Sequence, residues 1–301
     1  MKIYDGHMHI GGSAAPNPAQ LMEKLEACGI SGGCVISIDP DDPGFTFEQR
    51  MENLFAWVKG WEDRLFPVAW LHPYEPDIFW KLENCAARGV AAFKFIPSNY
   101  SVGEELPRQV FRRIEELGFP IIFHSGILYD FQVSSKNNMP ANWENFIDFQ
   151  SLRFSMAHCA HPWSDECVMV YGKFRWVYEH LRAAVEGKPT IYKEYPWIRE
   201  HIHTAEGTVN FSAPELYLDT TPGAHGAFRR DMLRKICSCY PDGQRMMFGT
   251  DGYVENYPAD KVRKLLAEEK KILDAAGASK QFRENMYCRG LFRFLGKQAE
   301  E

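Results

Sequence analysis

The chain has 301 residues, enough to bury one large α/β domain or two small ones. Hydrophobic residues make up 45% and charged residues 25%, as in a soluble globular protein, and no apolar run approaches the roughly 20 residues that span a bilayer. A net charge of −6 argues against a nucleic-acid surface, which needs a basic stripe, yet leaves a small anionic partner open because local fields decide that.

The first candidate strand, "KIYDGHMHI", carries His7 and His9 two residues apart. Residues i and i+2 of a strand point to one side, so both imidazoles aim at one point and can chelate one ion. Asn17-Pro18 reads as an N-cap followed by proline at the first helical position, and Gly29 ends that helix. "GGCVISID" is the second strand. Thr46 with Gln49 forms a capping-box pattern before the second helix. "LFPVAWLH" is the third strand, with His72 just beyond it. Asp77 opens a helix that Gly89 stops. "VAAFKFIP" carries Lys94, and the following helix stops at Gly118. "FPIIFHSG" carries His124, "RFSMAHCA" carries His158, "ELYLDTT" carries Asp219 and "RMMFGTDG" carries Asp251. Two further helices, "FRRDMLRKICSCYP" and "ADKVRKLLAEEKKILDAAG", complete the alternation. The strands are near-continuous apolar runs, as expected when both faces are buried. Eight strand–helix units in one domain over 1–301 predict an α/β fold of the (β/α)8 TIM-barrel type rather than a doubly wound open sheet.

The stretch from the sixth strand to the seventh is too long for one crossover helix. Residues 163–212, rich in Trp, Tyr, Lys and Arg, read as an insertion that forms a lid or an interface. A second His-x-His, His201 and His203, lies in charged sequence that reads as a helix end or loop at the surface, where residues two apart diverge. The eight cysteines are scattered with no C-x-x-C pair, and no cationic-then-apolar segment opens the chain, so free thiols in the cytoplasm are expected. Cys159, and the pair Cys237 and Cys239, read as structural.

Barrel active sites sit at the C-terminal ends of the strands. His7, His9, Lys94, His124, His158 and Asp251 all fall there. Burying so many ionisable groups costs several kcal/mol unless each finds a partner, and one divalent cation serves them together. With these residues in place, the chain resembles the amidohydrolase superfamily, closest in style to the amidohydrolase 2 group that includes aminocarboxymuconate-semialdehyde decarboxylase. The resemblance spans nearly the whole chain: "YDGHMHIG" matches the Asp-x-His-x-His-Ile-Gly opening, "FHSG" and "AHCAHP" the fifth- and sixth-strand histidines, "FGTDGY" the eighth-strand aspartate and "ENMYCRGLFRFLG" the terminal helix.

The resemblance implies that His7, His9, His124 and Asp251 bind a catalytic metal, zinc first, with manganese or iron also compatible. It makes Asp251 the general base and His158 the group that polarises the scissile carbonyl. Lys94 stands where binuclear relatives carry a carboxylated lysine. If it is carboxylated, two ions bind and His124 and His158 move to the second; if not, one ion binds and the ammonium can pair with a substrate carboxylate. Weaker substrate-binding candidates are His72, Asp219 and His161. Asp219 could instead orient a ligand, Trp163 could line the pocket, and Arg175, Lys173 and His225 could hold an anionic substrate. The implied activity is metal-assisted hydrolysis of a C–N or C–O bond in a small carboxylated molecule. Non-oxidative decarboxylation on the same site is the alternative. Decarboxylases of the group show Ser-Asp-Tyr/Phe-Pro after the eighth strand, and this chain reads Thr-Asp-Gly-Tyr. A metal-dependent DNase is a weaker reading, since that type places Glu where this chain has Lys94, and a non-catalytic ligand-binding barrel is a third class. The expected partner is a small molecule, with no nucleic acid and no membrane; a homodimer is the commonest assembly.

Overall fold

Eight short apolar runs pair side by side into a parallel sheet that closes on itself. In the computed structural model, which describes residues 1–12, 14–190, 199–222 and 226–299, they are β1 (Tyr4–His9), β2 (Gly32–Ile36), β3 (Leu65–Trp70), β4 (Ala92–Phe95), β5 (Ile121–Phe123), β6 (Arg153–Met156), β9 (Glu215–Asp219) and an eighth strand split into β10 (Met246–Met247) and β11 (Gly252–Tyr253). β7 (Ile202–Ala205) and β8 (Thr208–Phe211) form a separate hairpin. Neighbours follow in chain order from β1 to β6, then β9 and β10. β11 pairs with β1, and the Gly6 amide donates to Phe248 O across the same seam, so the eighth strand joins the two edges. This is the (β/α)8 barrel.

Helices cover the outside: α1 (Pro18–Ala27), α2 (Phe47–Val58), α3 (Ile78–Arg88), α4 (Glu105–Glu116), α5 (Ser164–Val185), α6 (Gly226–Cys239) and α7 (Ala259–Ala275). Their ends follow the local signals. The Asn17 side chain accepts from the Gln20 amide, and Thr46 and Gln49 make the reciprocal capping box. The starts of α3, α4, α5 and α7 carry no side-chain cap bond; Asp77, expected to open α3, stands before it in the left-handed region at φ 55°.

One irregularity in β1 matters for the site. The register with β2 shifts between Asp5 and Met8. Tyr4 packs in the barrel interior with Ile36, Val68, Ile122 and Met247, whereas Met8 joins the outer core beneath the helices. The extra residue re-phases the strand, so Tyr4, His7 and His9 all face inward despite their odd spacing. The N-terminal mouth is plugged by the C-terminal segment, where Leu291, Phe292 and Phe294 of α8 (Gly290–Phe294) pack on the same interior residues. Gly290 is required there, because a Cβ at that position would lie 1.7 Å from Met246 O.

The long stretch after β6 begins with the 22-residue α5, whose Tyr171 and Phe174 are buried in the main core and whose Leu181 is buried in a small cluster with Val177 and Ala213. The hairpin follows. Glu206 and Gly207 both have positive φ, at 51° and 77°, as a tight two-residue hairpin turn requires. His201 is the turn residue after the helical residues 199 and 200, as the helix-end reading expects, but it is buried rather than at the surface, with Nδ1 3.0 Å from Ser212 O. His203 is exposed but lies in β7, which corrects the helix-end or loop reading there. Polar residues on both faces of the ribbon hide its strand character from any periodicity argument. No helix among the described residues is long and apolar enough to cross a membrane.

A buried ion pair ties the last elements together. Glu269 of α7 is fully buried; it accepts from Arg229 of α6 and from the Tyr287 hydroxyl at 3.0 Å. Glu269→Ala strands the Arg229 guanidinium without its partner, and a loss of about 3–5 kcal/mol is expected. Denaturant unfolding measures it; a loss under about 1 kcal/mol would show that water replaces the carboxylate.

Candidate metal centre

The site is assembled at the C-terminal rim of the barrel. His7 Nδ1 lies 2.6 Å from Asp219 Oδ2, and a carboxylate only accepts, so the imidazole proton sits on Nδ1. Nε2 is thereby left as a bare lone pair facing the cavity. It is 3.1 Å from His9 Nε2, and Asp251 Oδ1 is 3.3 Å from His9 Nε2 and 3.8 Å from His7 Nε2. Donor atoms on a tetrahedral ion with His and carboxylate ligands stand about 3.3 Å apart. The three side chains therefore fit one divalent ion.

Two more imidazoles stand beside this group but outside the set whose donor atoms all lie within 4.8 Å of one another. The rings of His124 and His158 are 4.8 Å apart between centroids and tilted by 57°, and the His158 ring lies 5.5 Å from that of His7. His124 Nε2 and His158 Nδ1 are buried with no hydrogen-bond partner. A bare buried nitrogen costs about 1–3 kcal/mol, and a cation or a bound molecule removes that cost. Burial holds His9 down to about 4, His158 down to about 3, and His124 well below the usual range, so these rings are neutral and able to ligate near pH 7. For Asp251, burial pushes upward, but the His9 hydrogen bond and the neighbouring imidazoles outweigh it and keep the carboxyl ionised. Lys94 is buried on the floor with Nζ 3.4 Å from His7 Nε2, and desolvation lowers it to about 8.

Backbone strain and close packing accompany these groups. Asp251 and His158 both sit at φ 59°, in the left-handed region that L residues avoid. Gly249 admits no larger residue, since a Cβ would meet Thr221 Oγ1 at 2.2 Å and His7 Cβ at 2.8 Å. Beneath the site, the fully buried Asp5 accepts from the His7 and Thr250 amides at 3.0 Å and from the Tyr257 hydroxyl at 2.8 Å, bracing β1 against the Asp251 loop. Glu255 Oε1 likewise takes the Gly11 and Gly12 amides, fastening the exit of β1 to that loop.

The cavity above the centre is about 490 Å³ and brings together His7, His9, Lys94, His124, His158, His161 and Asp251. Other expected residues lie elsewhere. Asp219 does not line the cavity: it is fully buried, with one oxygen on His7 and the other accepting from the Thr221 amide at 2.9 Å, so it orients a ring rather than touching substrate. His72 turns away to Asn99 Oδ1 at 2.9 Å and packs on Tyr74 and Tyr100. Arg175 is held by Asp242 through two 2.8 Å bonds, and Lys173 pairs with Glu144. Trp163 precedes α5 and is absent from the lining, and His225 lies outside the described residues. Cys159 is buried, with Sγ directed to Asp219 O, in keeping with a structural role. Trp70, Tyr253, Asp39 and Asp42 also line the cavity and were not foreseen.

Asp219→Asn keeps the volume and removes the charge that fixes the His7 proton. Metal affinity is expected to fall about 10–100-fold. Metal titration of the apoprotein reads this, and an unchanged affinity would mean that His7 needs no such partner.

A closed parallel barrel with imidazoles and a carboxylate converging at its C-terminal rim is the arrangement of a barrel enzyme. Residues 41–288 match the amidohydrolase family (amidohydrolase 2 group), and the chain belongs to it. No curated protein matches the sequence. Among solved structures, the fold is similar to a probable 2-pyrone-4,6-dicarboxylic acid hydrolase from Acinetobacter baumannii, with TM-score 0.58 and 12% identity over 98% of this chain and 100% of that one. A 2,6-dihydroxybenzoate decarboxylase from Rhizobium aligns with TM-score 0.57 and 12% identity over 98% and 99%. A 5-carboxyvanillate decarboxylase from Novosphingobium aromaticivorans, determined with bound manganese, aligns with TM-score 0.55 and 13% identity over 98% and 97%. At these identities the likeness is one of fold.

Proposed function

We propose that this enzyme hydrolyses a C–N or C–O bond, in an amide, lactone or ester of a small carboxylated molecule, at a mononuclear metal centre held by His7, His9, His124 and Asp251. The observation that carries the reading is the convergence of His7, His9 and Asp251, whose donor atoms all lie within 4.8 Å of one another. A zinc, manganese or iron ion bound there would supply Lewis acidity to the scissile carbonyl and to the attacking water.

The chain's own groups do the rest. Asp251, kept ionised by His9 and His7, takes the proton of the attacking water and delivers it to the leaving nitrogen or oxygen. His158, neutral and unpaired at Nδ1, donates a hydrogen bond to the carbonyl oxygen as negative charge develops. Lys94, unmodified, faces a substrate carboxylate from the floor; a carboxyl group on its Nζ would instead make a bridge for a second ion. Asp5 and Asp219 hold the first strand and the His7 ring in place. The sequence Thr-Asp-Gly-Tyr around Asp251 supports hydrolysis over the decarboxylase pattern. Eight unpaired cysteines support a reducing, cytoplasmic setting.

The test is a panel of lactones, N-acyl compounds and aromatic carboxylic acids given to zinc- and manganese-loaded enzyme. Both titratable acid and CO₂ are recorded. Release of one new acid group without CO₂ is expected. Release of CO₂ without a new acid group assigns decarboxylation instead, and a purified protein that neither holds metal nor responds to it removes the metal centre.

A further inference from the structure

The charge pattern on the outer wall of the cavity identifies the far end of the substrate. The turn after β2 brings Asp39 and Asp42 to that wall. Each uses Oδ1 to accept a turn amide, from Asp41 at 2.9 Å and Gly44 at 2.8 Å. Among the described residues, neither carboxylate has an ion-pair partner or a donor on its second oxygen. Arg50, the cation whose charge reaches Asp39, is committed to Glu75 at 2.7 Å and to Trp70 O at 3.0 Å. Burial, with Asp41 and Asp42 nearby, raises the Asp39 carboxyl above its ordinary range.

Among the described residues, the rest of the lining away from the metal centre is apolar or aromatic, with Ile38, Trp70, Ile127, Tyr129 and Tyr253, apart from Ser125 and His161, and no arginine lines the cavity. Lys94, its one lysine among them, is drawn to the floor beside His7. A ligand is independently indicated in the same cavity. Among the described residues, His158 Nδ1, which the metal reading leaves off the ion, is unpartnered in a side chain only 9% exposed. An anionic tail would meet two carboxylates, and a neutral tail would leave them unpaired.

We propose that the substrate carries a cationic amine or guanidine at the end opposite its reacting carbonyl, and that Asp39 and Asp42 select for it. The proposal rests on the reading of the cavity as a hydrolytic metal site and adds the distal specificity. Asp39→Asn with Asp42→Asn is a clean probe because asparagine keeps both turn acceptors and removes both charges.

The experiment measures binding by calorimetry to the manganese-loaded full chain. Its probes are hydroxamates of ω-amino acids of graded length, the monohydroxamates of dicarboxylic acids of matched length, and unsubstituted alkanohydroxamates. At the best length the amine probe is expected to bind about ten-fold more tightly than its carboxylate counterpart, with the ratio falling to within about three-fold in the double variant. Carboxylate or neutral probes that match the amine at every length overturn the proposal, as does a preference untouched by the double substitution. Metal content on the same samples reports the centre separately: protein that holds no ion overturns the metal reading, whereas protein that holds the ion but shows no amine preference overturns only the distal one.

Discussion

Asp251→Asn is expected to lower kcat/KM at least about 10³-fold and to strip most of the bound metal, while the barrel stays folded. The side chain is 40% exposed, so its replacement leaves no cavity in a core. Its backbone stands at φ 59°, and asparagine is among the few residues that tolerate that region. What changes is charge and proton affinity. The amide oxygen is a weaker ligand, leaves the centre with only neutral donors, and cannot accept the proton of an attacking water. His9→Ala is the companion variant, since it removes one of two nitrogens only 3.1 Å apart. Elemental analysis, steady-state kinetics and thermal unfolding on the same preparations check the result. Full metal occupancy with ordinary turnover in both variants would mean that the ion, or the chemistry, lies elsewhere.

His158→Ala separates chemistry from ligation. The histidine is strained, nine-tenths buried and unpaired at Nδ1, and burial holds its pKa near about 3, so the ring is a neutral donor throughout the working range. Removing one donor to a developing oxyanion costs about 10²–10³ in kcat. KM and metal content are expected to change little, because the interaction is made in the transition state. An unchanged kcat would exclude His158 from the reaction. A fall in metal content together with kcat would make it a ligand, the arrangement a carboxylated Lys94 demands; the intact mass of the chain tests that directly.

Much of the architecture is legible in local pattern. Apolar runs of four to six residues bounded by glycine read as buried parallel strands, and the Asn17 and Thr46 caps announce their helices because such signals act over three or four residues. The rim histidines are legible for the same reason: an ionisable residue ending an apolar run is expensive unless it serves a site. Asp39 sits in "SIDPDD" just past β2, where that rule would have found it. Trp70 and Tyr253 carry no such mark, because aromatic residues suit a core equally well.

Side-chain direction after a strand ends is another matter. His72 and His161 both follow strands, yet one turns to Asn99 and the other faces the cavity. Asp219 reads as a rim residue but spends both oxygens inside the protein. The bulge in β1, which re-phases His7 and His9 relative to Tyr4, lies in the register of β1 against β2, and no local pattern marks it.

By itself, then, the amino-acid order determined the alternation of elements, the closed barrel they add up to and the cluster of imidazoles and carboxylates available at its rim, because those follow from periodicity, capping and desolvation cost over a few residues. Only the tertiary structure decided which of those groups share a centre, which merely orient another and which charges are left facing the cavity. Those outcomes depend on hydrogen bonds between positions as far apart as His7 and Asp219, and no local pattern encodes distances across a barrel.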